Sequence, residues 1–187
     1  IQNIRGELPK IIDDDGISVA PGQPGELLTR GYSVMLGYWN DDEKTEGSID
    51  AAGWMHTGDQ ATIDDEGFCK IVGRIKDMVI RGGENVYPRE IEEFLYRHPK
   101  ITDVQVIGVP DEKYGEELCA WVCLKDGEES NEEEIRAFCK GQIAHYKIPR
   151  YVKFVDGFPM TVTGKIQKFK MREETIAELS LVVQETA

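Results

Sequence analysis

The chain has 187 residues, enough to bury a core as one domain or as two small ones. Its 22 Lys and Arg against 35 Asp and Glu leave a net charge of −13, which argues against nucleic acid or an anionic membrane surface as a general partner. The acids gather in runs such as Asp13-Asp14-Asp15, Asp41-Asp42-Glu43 and Glu132-Glu133-Glu134, and read first as an exposed, solubilising surface.

Residues 1 to about 75 read as β-rich. The opening Ile1 to Lys10 fits no motif. Pro21-Gly22-Gln23-Pro24-Gly25 is a turn leading into a strand over Glu26 to Arg30, and a brief helix is expected around Asp42 to Ile49. Gln60 to Ile63 and Phe68 to Val72 flank Asp64-Asp65-Glu66-Gly67, which is hairpin chemistry. From about residue 77 the pattern changes to alternating strands and helices. Met78-Val79-Ile80 runs as a strand into Gly82-Gly83. Pro88 suits a first helical turn, with Ile91, Phe94 and Leu95 falling on one face behind it. Val104 to Val109 and Leu118 to Leu124 are nearly all apolar, as strands covered on both sides are. Ser130-Asn131-Glu132-Glu133 reads as a capping box before a buried stripe of Ile135, Phe138, Cys139 and Ile143. A strand near Tyr151 to Val155 and a helix from about Lys168 close the chain. The predicted class is α+β: a small β-rich subdomain, residues 1–75, then a compact α+β domain of mixed sheet with flanking helices, residues 76–187, joined near Lys76.

No apolar run approaches the ~20 residues of a membrane span, so no transmembrane segment is expected, and no signal peptide is recognisable. The chain opens at Ile1 rather than Met, so we expect a piece of a longer polypeptide whose own targeting signal could lie in the missing part. Cys69, Cys119, Cys123 and Cys139 lack zinc-like pairing and read as buried thiols of a reducing, cytoplasmic environment. His56, His98 and His145 are scattered, and no protein-bound metal site is predicted.

Several residues have a chemical and a plain reading. Asp59, after Thr57-Gly58, can accept two hydrogen bonds from vicinal hydroxyls, or can simply shape a turn. Arg74 presents a planar donor fork, for a ligand or for one of the many acids. Gly82-Gly83 lets backbone approach a ligand closely, or makes a bare turn. Lys165 sits on a Gly-containing loop, beside the surface-type Lys168 and Lys170.

Three patches decide between these readings: Thr57-Gly58-Asp59, the run Gly73-Arg74-Ile75-Lys76-Asp77-Met78-Val79-Ile80-Arg81-Gly82-Gly83-Glu84-Asn85-Val86-Tyr87-Pro88, and Thr163-Gly164-Lys165-Ile166-Gln167-Lys168. In this order and at these separations they resemble the carboxy-terminal third of the adenylate-forming enzymes, most closely the acyl-CoA synthetases. The resemblance implies an acid–thiol ligase that joins a fatty or related carboxylic acid to ATP as an acyl-adenylate, then transfers the acyl group to CoA. It implies that Asp59 and Arg74 hold the ATP ribose. Lys76 would be the hinge on which residues 76–187 turn as a mobile lid between two poses. Lys165 would be the catalytic ammonium, touching the substrate carboxylate and the α-phosphate. Arg81, Gly82 and Gly83 would line the pantetheine tunnel, Tyr114 and Tyr146 would pack on the CoA adenine, and Lys147 would meet a phosphate.

The family's phosphate loop, the residues that help hold Mg2+ with ATP, and the acyl pocket are not in this sequence. The fragment is therefore expected to be inactive alone and to bind ATP very weakly. The wording from Lys76 to Glu90 is closer to synthetases of medium or branched acids than to aryl ligases. Two alternatives stand beside this reading: an adenylation domain that loads carrier-protein pantetheine, and a non-catalytic binding or interaction module. Lys165 together with Gly82-Gly83 argues against the module. The oligomeric state is not legible in the sequence.

Overall fold

The computed structural model describes residues 8–182, so Ile1–Glu7 of the motif-free opening lie outside the described residues. The chain divides into two compact units, Ile1–Lys76 and Asp77–Ala187. The α+β class read from the sequence holds.

The first unit is an antiparallel sheet of β1 (Leu8–Ile12), β2 (Gly25–Arg30), β3 (Met55–Ile63) and β4 (Cys69–Arg74), in that order. Leu8, Pro9 and Lys10 of the opening stretch thus belong to a strand. The sheet buries Ile11, Leu27 and Ala61, with Val19, Ile63, Cys69 and Ile71 packed against them. Fully burying one such aliphatic side chain contributes about 1.5–3 kcal/mol. The β3–β4 hairpin closes on Asp64, whose carboxylate accepts the Glu66 and Phe68 amides at 3.0 and 2.8 Å. α1 (Asp42–Ser48) is capped by Asp41, which accepts from the Lys44 amide, and it buries none of its residues.

The second unit carries β5 (Val79–Arg81), β6 (Glu84–Val86), α2 (Pro88–Leu95), β7 (Ile101–Asp111), β8 (Gly115–Leu124), α3 (Glu132–Cys139), β9 (Tyr151–Phe154) and α4 (Lys168–Leu179). β8 is the centre of a mixed sheet. β7 runs antiparallel along one edge. The other edge is shared between β5, paired only through Arg81 opposite Gly115, and β9, parallel from Cys119 to Val122. Alternation along the strands builds two cores. Val104, Val106, Leu118, Ala120 and Val122 face one way with Ile91, Leu95, Ile135 and Cys139 of α2 and α3. Ile107, Val109, Cys119 and Trp121 face the other way with Met171 of α4. Cys119 and Cys123 are both buried.

Polar side chains fasten the helices to the sheet. Glu92, almost wholly buried on α2, accepts the Val106 amide at 2.8 Å, and the Lys168 ammonium at the start of α4 meets the same oxygen at 2.7 Å. Trp121 donates to Thr175 of α4 at 2.9 Å. One local reading needs correction. The α3 cap is Asn131, whose side chain accepts the Glu134 amide at 2.9 Å, while the Ser130 hydroxyl donates to the Glu134 carboxylate. The cap therefore falls one residue later than the Ser130 capping box. Ile143 lies beyond the helix end, although it still packs on the core. No described helix is long and apolar enough to cross a membrane.

Candidate functional site

In the first unit the site is made by an irregular strand. Between β2 and β3, Gln60 stands opposite Glu26 while His56 stands opposite Leu28. Thr57, Gly58 and Asp59 therefore crowd into a stretch where β2 supplies only Leu27, and the strand bulges there. Gly58 takes φ +68°, a left-handed conformation that favours glycine.

Three contacts hold the bulge. The Thr57 hydroxyl donates to the Leu27 carbonyl at 2.7 Å, the Gly58 amide donates to Glu26 Oε1 at 3.3 Å, and the Asp59 amide donates to Thr57 Oγ1 at 3.1 Å. Glu26 Oε2 lies 2.8 Å from His56 Nδ1, so one carboxylate ties the start of the bulge to its middle. Asp59 then faces Arg74 across β3–β4, with Arg74 Nε 2.8 Å from Asp59 Oδ1. The Arg74 side chain is 57% exposed and that of Asp59 26%. A carboxylate and a donor fork stand side by side and open to solvent, which suits a ligand that presents adjacent hydroxyls. Nothing in the sequence around Glu26 or His56 singled them out.

Lys76 is exposed, lies in a short 3-10 turn over Ile75–Asp77, and is the last residue of the first unit.

In the second unit, Gly82 and Gly83 form the two-residue turn of the β5–β6 hairpin, with Arg81 opposite Glu84. Their φ values of +61° and +89° are those of a primed hairpin turn. Gly82 is favoured on a second ground, because a Cβ there would come 3.1 Å from the Tyr114 ring and crowd it. Its amide donates to the Tyr114 carbonyl at 2.8 Å.

Arg81 does not reach outward. Its Nε and Nη2 donate to the two oxygens of Glu117, both at 2.7 Å, and its Nη1 donates to the Tyr146 carbonyl at 3.0 Å. Two cations lie over the Tyr114 ring, the Arg81 guanidinium carbon 5.1 Å and the Lys113 ammonium 4.7 Å from its centre. Tyr146 is half-buried and packs against the α2–α3 core. The Lys147 ammonium is held by both oxygens of Glu90 at 2.7 Å.

Asp111 shapes the turn that carries Tyr114, accepting the Lys113 and Tyr114 amides at 2.9 Å and standing 2.8 Å from Arg150 Nη1. Burial pushes the Asp111 carboxyl up, but those two amides and the charges of Arg150 and Arg81 outweigh it and leave the group below its ordinary value. The structure thus brings Arg81, Gly82, Gly83, Tyr114 and Tyr146 together, with Lys147 next to them but already paired. It adds Glu117, Lys113 and Asp111.

Lys165 tips a separate tight loop. The Thr161 amide donates to the Lys165 carbonyl at 2.8 Å, and the Lys165 amide donates back to Thr161 Oγ1 at 3.0 Å. The Lys165 side chain is exposed, as are Val162 and Thr163 beside it.

The cysteines offer no nucleophile. Burial pushes the Cys119 thiol up to about 12 and that of Cys139 up to about 11, and it raises Cys69 and Cys123 as well. Among the described residues no group of three or more His, Cys, Asp or Glu could hold a metal ion.

Residues 90–165 match the family described as AMP-binding enzyme C-terminal domain. The chain is 60% identical over 158 residues to the mitochondrial medium-chain acyl-CoA ligase ACSF2 of Homo sapiens, a match covering 84% of this chain and 26% of that protein. ATP-bound MatB of Rhodopseudomonas palustris superposes with a TM-score of 0.88 at 36% identity, over 95% of this chain and 35% of that one. The o-succinylbenzoate CoA synthetase MenE of Bacillus subtilis, in complex with its acyl-adenylate intermediate, superposes with a TM-score of 0.84 at 32% identity, over 90% and 34%. The chain spans only about a quarter to a third of the length of these relatives.

Proposed function

We propose, since the chain belongs to the AMP-binding, adenylate-forming superfamily as the C-terminal part of an acyl-CoA synthetase, that the complete protein activates a fatty or related carboxylic acid with ATP and passes the acyl group to CoA. The observation that carries this reading is the exposed Asp59–Arg74 pair, aimed by a strand bulge, in a chain that superposes on an ATP-bound relative. In the first half-reaction Asp59 accepts from the two ribose hydroxyls of ATP, and Arg74 steadies both the carboxylate and the sugar. Lys165, delivered on its Thr161–Gly164 turn, places its ammonium between the substrate carboxylate and the α-phosphate, where negative charge builds as pyrophosphate leaves. Mg2+ accompanies ATP and takes its ligands from residues outside this chain.

In the second half-reaction the unit after Lys76 turns on that residue, and the Gly82-Gly83 hairpin comes to line the pantetheine path. Tyr114 and Tyr146 receive the adenine of CoA, and Lys147 a phosphate. A hinge of this kind concentrates backbone change in a few residues at a boundary, and Lys76 ends the first unit. Medium or branched acids are the substrates we assign. This polypeptide alone adenylates nothing, because it carries only one wall of the nucleotide site. The four unpaired thiols call for a reducing compartment. We assign the cytoplasm, and fractionation with the mitochondrial matrix as the other arm tests it.

The test is to assay the two half-reactions separately on the complete protein. Lys165→Ala should slow ATP–pyrophosphate exchange about 10²–10³-fold. It should slow thioester formation from supplied acyl-adenylate far less. Equal losses in both would overturn the division of labour between the two poses. Acceptance of a holo carrier protein in place of CoA would reassign the acceptor, and absence of any acid-dependent exchange in the unaltered protein would overturn the ligase reading. Calorimetry of this chain with ATP should show very weak binding, and a tight complex would contradict the single-wall account.

A further inference from the structure

We infer that Arg81 and buried Glu117 act together as positioning residues for the thiol step: the ion pair fixes the Gly82-Gly83 hairpin and the Tyr114 ring in the pose that receives CoA, without either side chain touching it. The inference rests on the acid–thiol ligase reading and departs from the expectation that Arg81 binds CoA directly.

The sheet has a gap along one edge of β8. The second edge of β8 is paired to β5 at Gly115 and to β9 from Cys119 onward, and Glu117 falls between them. Its side chain is 1% exposed, so an unpaired carboxylate there would be very costly. The Arg81 guanidinium fills the gap. It meets both Glu117 oxygens with the parallel bidentate geometry that only a planar fork provides, and its side chain is 12% exposed. Nη1 spends a further N–H on the Tyr146 carbonyl, so at least three of the five N–H donors are already committed inside the protein.

The hairpin needs this anchor. β5 has a single ladder partner on β8, and its remaining ties include the Ile80 amide donating to Glu116 at 3.0 Å and the Gly82 amide donating to Tyr114. With the fork in place, Gly82 stands close against the Tyr114 ring, where a Cβ would be 3.1 Å from its nearest ring carbon, and the guanidinium also lies over that ring. One ion pair therefore sets three things at once: the direction of the glycine turn, the Tyr114 ring, and the Tyr146 turn that precedes Lys147. Loosening it lets all three drift, and a displacement of about 1 Å in groups that position a substrate costs up to ~10²-fold in rate.

The experiment uses the complete protein with Glu117→Gln, Arg81→Lys and the double variant, scored by CoA titration and by the two half-reactions. Glu117→Gln keeps the shape of the side chain but removes its charge and one of the two oxygens that receive the guanidinium. It should raise the KM for CoA about tenfold or more and depress thioester formation from acyl-adenylate at least about tenfold more than ATP–pyrophosphate exchange. The double variant should be no worse than the worse single variant. If Glu117→Gln unfolds, Arg81→Lys keeps the opposite charges but loses the fork, and the same uneven loss is expected of it. A normal KM for CoA in Glu117→Gln alongside a raised one in Arg81→Lys would mean that Arg81 touches CoA itself and would overturn the proposal. Equal losses in both half-reactions would reduce the pair to a stability element and overturn it as well. A parent enzyme unable to make thioester from acyl-adenylate and CoA would instead defeat the ligase reading, which separates the two failures.

Discussion

Arg74 Nε stands 2.8 Å from Asp59 Oδ1, and the two residues are register partners across β3–β4. The backbone ladder thus fixes a carboxylate beside a guanidinium without burying either. An ion pair this open contributes about 0–1 kcal/mol to folding, so its value must lie elsewhere. In the complete protein Asp59→Asn should raise the KM for ATP about 10–100-fold, the loss expected when a charged hydrogen-bond acceptor is neutralised. The melting temperature should hardly move. Steady-state kinetics beside a thermal melt checks this, and a large fall in melting temperature with normal ATP kinetics would make the pair structural.

Glu26 supports the same carboxylate from behind. It receives the Gly58 amide on one oxygen and faces His56 Nδ1 with the other. Glu26→Ala leaves the bulge without its clamp, so two defects are expected together. The KM for ATP should rise because Asp59 is no longer aimed. The urea midpoint should fall by the equivalent of about 1–2 kcal/mol, because a partly buried amide loses its acceptor. Normal ATP kinetics in this variant would show that the Thr57 hydroxyl bond to Leu27 holds the bulge alone.

Local chemistry was legible and long-range pairing was not. The apolar runs of β7 and β8, the Asp64–Gly67 turn and Pro88 at the start of α2 announce themselves through residues that are neighbours in sequence. Asp59, Arg74 and Lys165 were visible because they sit in spaced motifs. The pairings of Glu26, Glu90 and Glu117 were not, since each meets its partner 30 or more residues away among 35 acidic residues. For the same reason the sequence does not name Glu117 as the partner that holds the Arg81 guanidinium. The α3 cap failed at finer scale. Ser130 and Asn131 are both able to cap, and only the extended backbone at Asn131 (φ −134°, ψ 170°) decides between them.

Lys147 yields a prediction with an unusual sign. Both oxygens of Glu90 hold its ammonium at 2.7 Å, so a phosphate must displace that carboxylate to use the charge. Glu90→Gln should therefore improve CoA binding, lowering the KM about 2–5-fold, the equivalent of one half-exposed ion pair. Lys147→Ala should raise it. Repeating both titrations with dephospho-CoA locates the phosphate, since the Glu90→Gln gain disappears if the 3′-phosphate is the group Lys147 meets. A higher KM for CoA in Glu90→Gln would mean that the pair serves binding as it stands.

His98 gives the second unit a dependence on pH that is independent of catalysis. It is 4% exposed, its ring meets Phe138 edge-on with centres 4.8 Å apart, and Nδ1 accepts the Lys100 amide at 3.3 Å. That leaves Nε2 as the donor, 4.0 Å from Glu134. Burial pushes the imidazole below its ordinary 6.5; Glu134 pulls it up, Lys100 and Lys125 push it down, and the net shift is downward. The folded form therefore holds its proton less tightly than the unfolded chain does. The stability from neutral His98 is fully present above about pH 6.5 and is lost as pH falls through the lower folded value, by about 1.4 kcal/mol for each unit of depression. Glu134 is itself held below its ordinary value, first by the hydrogen bond from Lys100 and then by that from Ser130, so it stays ionised across this window and does not produce the slope. Urea midpoints followed by the helical circular-dichroism signal should drop between pH 7.5 and 5.0, and His98→Gln should flatten that part of the drop. An unchanged slope in His98→Gln would assign the acid sensitivity to another group.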